Sequence, residues 1–125
     1  ESLLRHLNGR YSIACMVNLR TDSQRAIMVP DYFQKMLDAH DGSFKSALHD
    51  YCERLVAPFC KDSFSLLMDY DFIHARVGVL QYGYTRNDGE KFLLTIFADR
   101  RSKDETMWVF SKDDLPPVEL ELFES

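Results

Sequence analysis

Leu80-Gln81-Tyr82-Gly83-Tyr84-Thr85-Arg86-Asn87-Asp88-Gly89-Glu90-Lys91-Phe92-Leu93-Leu94-Thr95-Ile96 is the stretch on which the fold turns. Leu80, Tyr82 and Tyr84 recur at every second position, so an extended chain carries them on one face. Asn87-Asp88-Gly89 then breaks the pattern with residues that accept the left-handed backbone of a tight turn. Phe92, Leu94 and Ile96 resume the two-residue period. The stretch therefore predicts an antiparallel hairpin with one apolar face.

Downstream, a charged turn from Arg100 to Glu105 leads into Met107–Phe110, a short strand apolar on both faces and hence expected at the centre of the sheet. Upstream the period changes to that of a helix. Asp62 is expected to cap a helix carrying Phe64, Leu67 and Met68, with Phe72, Ile73 and Val77 on a further helical turn. Before it, Phe44, Ala47, Leu48, Tyr51, Cys52 and Leu55 form one helical face that starts after Ser43 and is ended by Pro58. Phe33, Met36, Leu37 and His40 form another, with Pro30 in its first turn and Gly42 as its stop. Nearer the start, Tyr11, Ile13, Cys15, Val17 and Leu19 alternate with Ser12, Ala14, Met16 and Asn18. Thr21-Asp22-Ser23 supplies a turn, and Arg25–Val29 reads as the return strand.

Two strands, a block of short helices and three more strands make an α+β domain with its helices gathered on one side of an antiparallel sheet. The domain is expected over residues 11–112. Leu3, Leu4 and Leu7 in residues 1–10 read as the end of an incoming helix that begins upstream. Residues 113–125 read as an exit linker, where Pro117 could open an outgoing helix carrying Val118 and Leu122.

The chain has 125 residues, enough for one core, and 46% of them are apolar. Its formal charge is −5 and its basic residues form no stripe, which argues against nucleic acid and against an anionic membrane surface as partners. No apolar run approaches the length needed to span a bilayer. Cys15, Cys52 and Cys60 show no two-residue spacing. They fit reduced, structural thiols in a cytoplasmic compartment, with a single disulfide as the alternative.

Particular segments carry a resemblance to a family. A Tyr-led strand closes in Leu19-Arg20-Thr21-Asp22, and Tyr32-Phe33 opens the next helix. Val56, Pro58 and Phe64 hold their places in the segment from Val56 to Phe64. Tyr82-Gly83-Tyr84, Asp88-Gly89-Glu90 and Trp108-Val109-Phe110 then follow in order. In this the chain resembles the PAS domains of bacterial multidomain sensors with diguanylate cyclase (GGDEF) or histidine kinase output. Ala57, Phe59 and Cys60 stand where those domains carry His and acidic residues. The resemblance implies a five-stranded antiparallel sheet with strands two and three at opposite edges and any pocket under its helix-covered face. It also implies a homodimer, a small-molecule ligand and an output domain in the same chain.

Chemistry-bearing patterns are sparse. His49 and Cys52 share a helical face at three-residue spacing, where His6, His40 or His74 could complete a metal site. A buried thiol beside a surface histidine is the simpler reading. His74 and His49 are nominal haem ligands. Cys60 beside Lys61 could be an activated thiol, but no cysteine lies in the Asn-Cys-Arg setting of a flavin photosensor. Asp69 and Asp71 point to different sides of a helix, and neither a phosphate loop nor a nucleophile elbow is present. The expectation is a non-catalytic input domain, with no metal site and no cofactor assigned. Its candidate ligand residues are Tyr51, Phe64, Phe72, Arg76, Tyr82 and Tyr84, joined by Gln81 and Arg86 as nearby polar groups. A filled core is the simpler reading of the same aromatics. The rival class is a stand-alone α+β binding protein or enzyme with a cone-shaped pocket, whose order would begin with helices.

Overall fold

The computed structural model describes residues 11–76, 78–98 and 104–112. Five strands, β1 (Tyr11–Asn18), β2 (Gln24–Met28), β3 (Gly78–Thr85), β4 (Lys91–Ala98) and β5 (Glu105–Lys112), form one sheet in the order β2-β1-β5-β4-β3. Every pairing is antiparallel, β5 is central, and β2 and β3 are the two edges. The expected α+β class, one five-stranded antiparallel sheet with several short helices, is thus the architecture of the chain. The expected incoming helix in 1–10, the linker 113–125 and the placement of Val77 lie outside the described residues.

The two-residue period sorts the strands' side chains. Ile13, Cys15 and Val17 of β1, Leu94 and Ile96 of β4, and Trp108 and Phe110 of β5 are at most 2% exposed and share the main core with the helices. Ala14 and Val109 face the other way, with Ile27, Met28, Phe97 and Met107 packed around them. β1 stops at Asn18 because its carboxamide oxygen turns back to accept the backbone N–H groups of Arg20 and Thr21 at 2.9 and 3.0 Å.

Between the edges run α1 (Asp31–Ala39), α2 (Phe44–Leu55), α3 (Pro58–Ser65), a 3₁₀ turn (Leu66–Met68) and α4 (Tyr70–His74). α1 buries Phe33, Met36 and Leu37, the stripe read from its period. It ends where Gly42, at φ +81°, bends its N–H back to the carbonyl of Leu37 at 2.8 Å. Ser43 caps α2 by accepting from the Ser46 N–H at 3.2 Å. Phe33 meets Phe110, Phe44 meets Trp108 and Tyr51 meets Tyr84, so the helical block lies on the main-core face of the sheet.

Three local expectations are corrected. Pro30 is the residue before α1, not within its first turn. Pro58 opens α3 at its first position, where a missing N–H costs no helical bond. Asp62 is consequently inside α3 and caps nothing, and Cys60 is helical. The residue that caps a later helix is Asp69, whose carboxylate accepts from the N–H groups of Asp71 and Phe72 at 3.0 and 3.4 Å.

Candidate functional site

The segment joining α2 to α3 ties the helical block to one end of β3. The Ala57 N–H donates to the Thr85 carbonyl at 2.9 Å, and the Asn87 N–H to that of Leu55 at 2.8 Å, making a one-residue bridge between Val56 and Arg86. That clasp sets the tail of β3 against the C-terminal end of α2. Tyr84 therefore meets Tyr51, and Arg86, the next residue on the same side, reaches Tyr32 at the start of α1.

The four aromatic candidates on α2, α3 and β3 come together. Tyr82 and Tyr84 stack at 6.0 Å, Phe64 meets both edge-on at 6.1 and 5.1 Å, and Tyr51 stacks on Phe64 at 6.0 Å. Tyr51 and Phe64 are fully buried, and Tyr84 is 3% exposed. These rings pack on one another, on Phe92 and on Phe110 as core side chains do. The Tyr51 and Tyr84 hydroxyls lie 2.5 Å apart. Tyr82 donates to the Cys60 carbonyl at 3.3 Å.

Phe72 and Arg76 do not join that group. The Arg76 guanidinium lies 3.5 Å over the Phe72 ring and donates to the Phe72 carbonyl at 2.7 Å, an i,i+4 pair of α4 and its exit. Arg76 also borders a crevice between Ile73 and the start of β3, whose volume of about 10 Å³ matches a single water. Gln81 is on the opposite face of β3 from Tyr82. Its Nε2 is buried without a hydrogen-bond partner.

Sequence reasoning offers Arg86 as a nearby polar contact for a ligand, and it leaves Tyr32 out of the site. Arg86 donates to the Tyr32 hydroxyl at 2.6 Å and lies 4.4 Å over Phe92, 5.4 Å over Tyr51 and 5.5 Å over Tyr32. Its Nε is buried with no partner, and among the described residues no carboxylate pairs with it. Burial pushes the Tyr51 phenol up to about 12 against the opposing pull of Arg86. It also lifts Tyr84 well above its ordinary value, with Tyr51 adding to the rise. Burial works against the charge on Arg86, but the oxygens of Tyr51 and Tyr32 outweigh it and raise its pKa. At neutral pH Arg86 is a fixed cation and the raised phenols of Tyr51 and Tyr84 keep their protons. The cluster is rich in donors and poor in acceptors, a setting suited to holding an anionic oxygen group.

A second polar cluster sits at the other end of the helical block. Asp22, left-handed at φ +61°, accepts from Tyr70 at 2.6 Å, from the Lys45 N–H at 3.0 Å and, in a very short bond, from Ser43. Burial and then Asp22 itself push the Tyr70 phenol far up. Beside it, Leu19, Arg20, Tyr70, Asp71, His74 and Asp104 line an open cleft of about 210 Å³. That is below the usual size of a small-molecule site.

The remaining candidates are dispersed. All three cysteines are free, with Cys15 and Cys52 buried and Cys60 half-buried. His49 is exposed while Cys52 is buried, so the two do not converge. His40 pairs with Asp50 and His74 with Asp104, each at 3.3 Å. Among the described residues no group of three or more His, Cys, Asp or Glu side chains could hold a metal, and no helix is long and apolar enough to cross a membrane. Lys61 is turned away to the Glu53 carbonyl at 3.0 Å. No family model matches the chain, and no curated protein matches it.

Proposed function

We propose that this chain is the signal-input domain of a larger signalling protein, of the PAS kind, and that it binds a small anionic ligand at Arg86. The reading is carried by Arg86 itself. A half-buried guanidinium normally finds a carboxylate, whereas this one faces three phenols and keeps a buried Nε unpaired. A ligand carboxylate would accept from the half-buried guanidinium. The order β2-β1-β5-β4-β3, with the helices between the two edge strands, supports the PAS likeness. Ligand binding would act by biasing an equilibrium between two arrangements of the helical block, which an output kinase or cyclase could read. The free thiols suit a cytoplasmic setting.

Native mass spectrometry of the purified chain, followed by thermal unfolding with a panel of small mono- and dicarboxylates, tests this. A ligand at about 100 times its Kd stabilises by about 2.7 kcal/mol, and Arg86→Gln should abolish that shift. If no mass is carried and no carboxylate moves the transition, or if Arg86→Gln responds as the wild type does, the anion-sensor reading falls.

A further inference from the structure

The sensor reading uses the face of the sheet that carries the helical block. On the opposite face β1, β2 and β5 bring together three of the chain's five methionines. Met16 lies between Cys15 and Val17, and Met107 lies beside Trp108. These neighbours belong to the main core, so alternation turns both methionines to the other side. Met28 stands opposite the outward-facing Ala14, and with Met107 it packs around Ala14 and Val109.

The strand register brings the three close. Met16 is paired directly with Met107, which sets their Cβ atoms about 4.5–5.5 Å apart. Met28, opposite a residue two places before Met16, is the diagonal neighbour of Met16 at about 7–8 Å. It approaches from the β2 side of Ala14 and Met107 from the β5 side, and the single methyl of Ala14 leaves room for longer side chains above it. All three methionines are half-buried, open to solvent on a bed of apolar neighbours. A strand surface favours β-branched and aromatic residues. What three neighbouring methionines share instead is a soft sulfur donor, the kind that selects Cu(I) over harder cations. Glu105, two residues from Met107 on the same side of β5, is held by the Asn18 amide at 2.7 Å. Its negative charge offsets the positive charge of Arg25, the other cross-strand neighbour of Met16.

We propose that Met16, Met28 and Met107 form a thioether site for a soft monovalent cation, Cu(I), on the face of the sheet opposite the helical block. The rotatable bonds of methionine let the sulfurs close on the ion without moving the strands. A thioether carries no proton, so occupancy releases none and is insensitive to mild acid, unlike that of a thiolate or imidazole site. The thiols do not share this face: Cys15 and Cys52 belong to the main core and Cys60 is packed against it from α3. The inference goes beyond the anion reading and shares no residue with it. An Arg86 that binds nothing leaves the thioethers in place, and thioethers that bind nothing leave Arg86 as it is.

Ag(I), a redox-inert stand-in for Cu(I), tests the site by NMR on the full chain, isotopically labelled at its methionine methyl groups. A chloride-free buffer keeps silver in solution, and a Cys60→Ser background removes the half-buried thiol. The methyl resonances of Met16, Met28 and Met107 should shift together and saturate at one silver ion per chain. Met36, buried in the main core, and Met68, packed against it, are internal controls and should not move. Met16→Leu and Met107→Leu keep the apolar volume and the native circular dichroism, and each should weaken silver binding by about 10-fold or more. Absence of any shift overturns the proposal. So does equal movement of all five methyls, or unchanged silver affinity in both leucine variants. Binding that is lost in mild acid overturns it too, since the ion would then sit on a thiolate or an imidazole.

Discussion

The hydroxyl oxygens of Tyr51 and Tyr84 lie 2.5 Å apart in a place where neither phenol is more than 3% exposed. Each is the other's partner, but Tyr51 also lies beside Arg86 and Tyr84 depends on Tyr51 more heavily. Tyr51→Phe therefore strands a buried hydroxyl on Tyr84 and should cost about 1–3 kcal/mol in urea unfolding. Tyr84→Phe should cost less, because Tyr51 keeps the guanidinium. The double variant should cost less than the two single variants added together, and simple additivity would show that the pair is not coupled.

Asp22 gathers three donors from three parts of the chain: the Ser43 hydroxyl, the Lys45 N–H and the Tyr70 hydroxyl. Removing its carboxylate leaves them without an acceptor and puts a residue with a Cβ and no local hydrogen bond at φ +61°. Asp22→Ala should lose about 2–4 kcal/mol. Asp22→Asn, which tolerates the left-handed backbone and keeps one acceptor, should lose about 1–2 kcal/mol. Equal losses for the two would mean that the charge, not the hydrogen bonds, holds the turn to α2 and α4.

Alkaline pH should unfold the protein through its phenols. Tyrosine is neutral when protonated, so burial that raises Tyr51 from 10.0 to about 12 favours the protonated form within the fold. Below pH 10 this contribution is complete. From there to about pH 12 the unfolded chain binds fewer protons than the native one, and stability falls as pH rises. Tyr70, Tyr82 and Tyr84 are raised as well. Phenolate absorbance should thus rise in two stages, the larger one coinciding with loss of the native circular dichroism. A single smooth titration of all six tyrosines near pH 10 would refute it.

Gly42 closes α1 at φ +81° with open space where a Cβ would stand. Gly42→Ala should then show only the backbone cost of a left-handed L-residue, about 1–2 kcal/mol. Gly42→Asn should be milder. A larger loss for alanine would point to a contact the open space does not suggest.

Sheet and helix faces were legible where the chain repeats itself. The β3–β4 hairpin follows from alternation around Asn87-Asp88-Gly89, and α1 and α2 follow from apolar residues three and four apart. The start of α3 was missed because proline both ends helices and begins them, and only the bond from Ala57 to Thr85 decides which it does at Pro58. Tyr51 and Tyr84 were visible as aromatics on apolar faces. The contact between Arg86 and Tyr32 was not, since it joins residues 54 apart and leaves no local period. Phe72 and Arg76 were grouped with the site by proximity along the chain, and helical spacing paired them with each other instead.

β1 finds its longest partnership with β5, so that Val17 faces Thr106 across a separation of 89 residues, sealed by the Thr106 hydroxyl on the Val17 carbonyl. During synthesis the first hairpin must therefore wait for its central partner until almost the whole domain has left the ribosome. Chains cut short before Glu105 would keep two half-sheets with nothing between them.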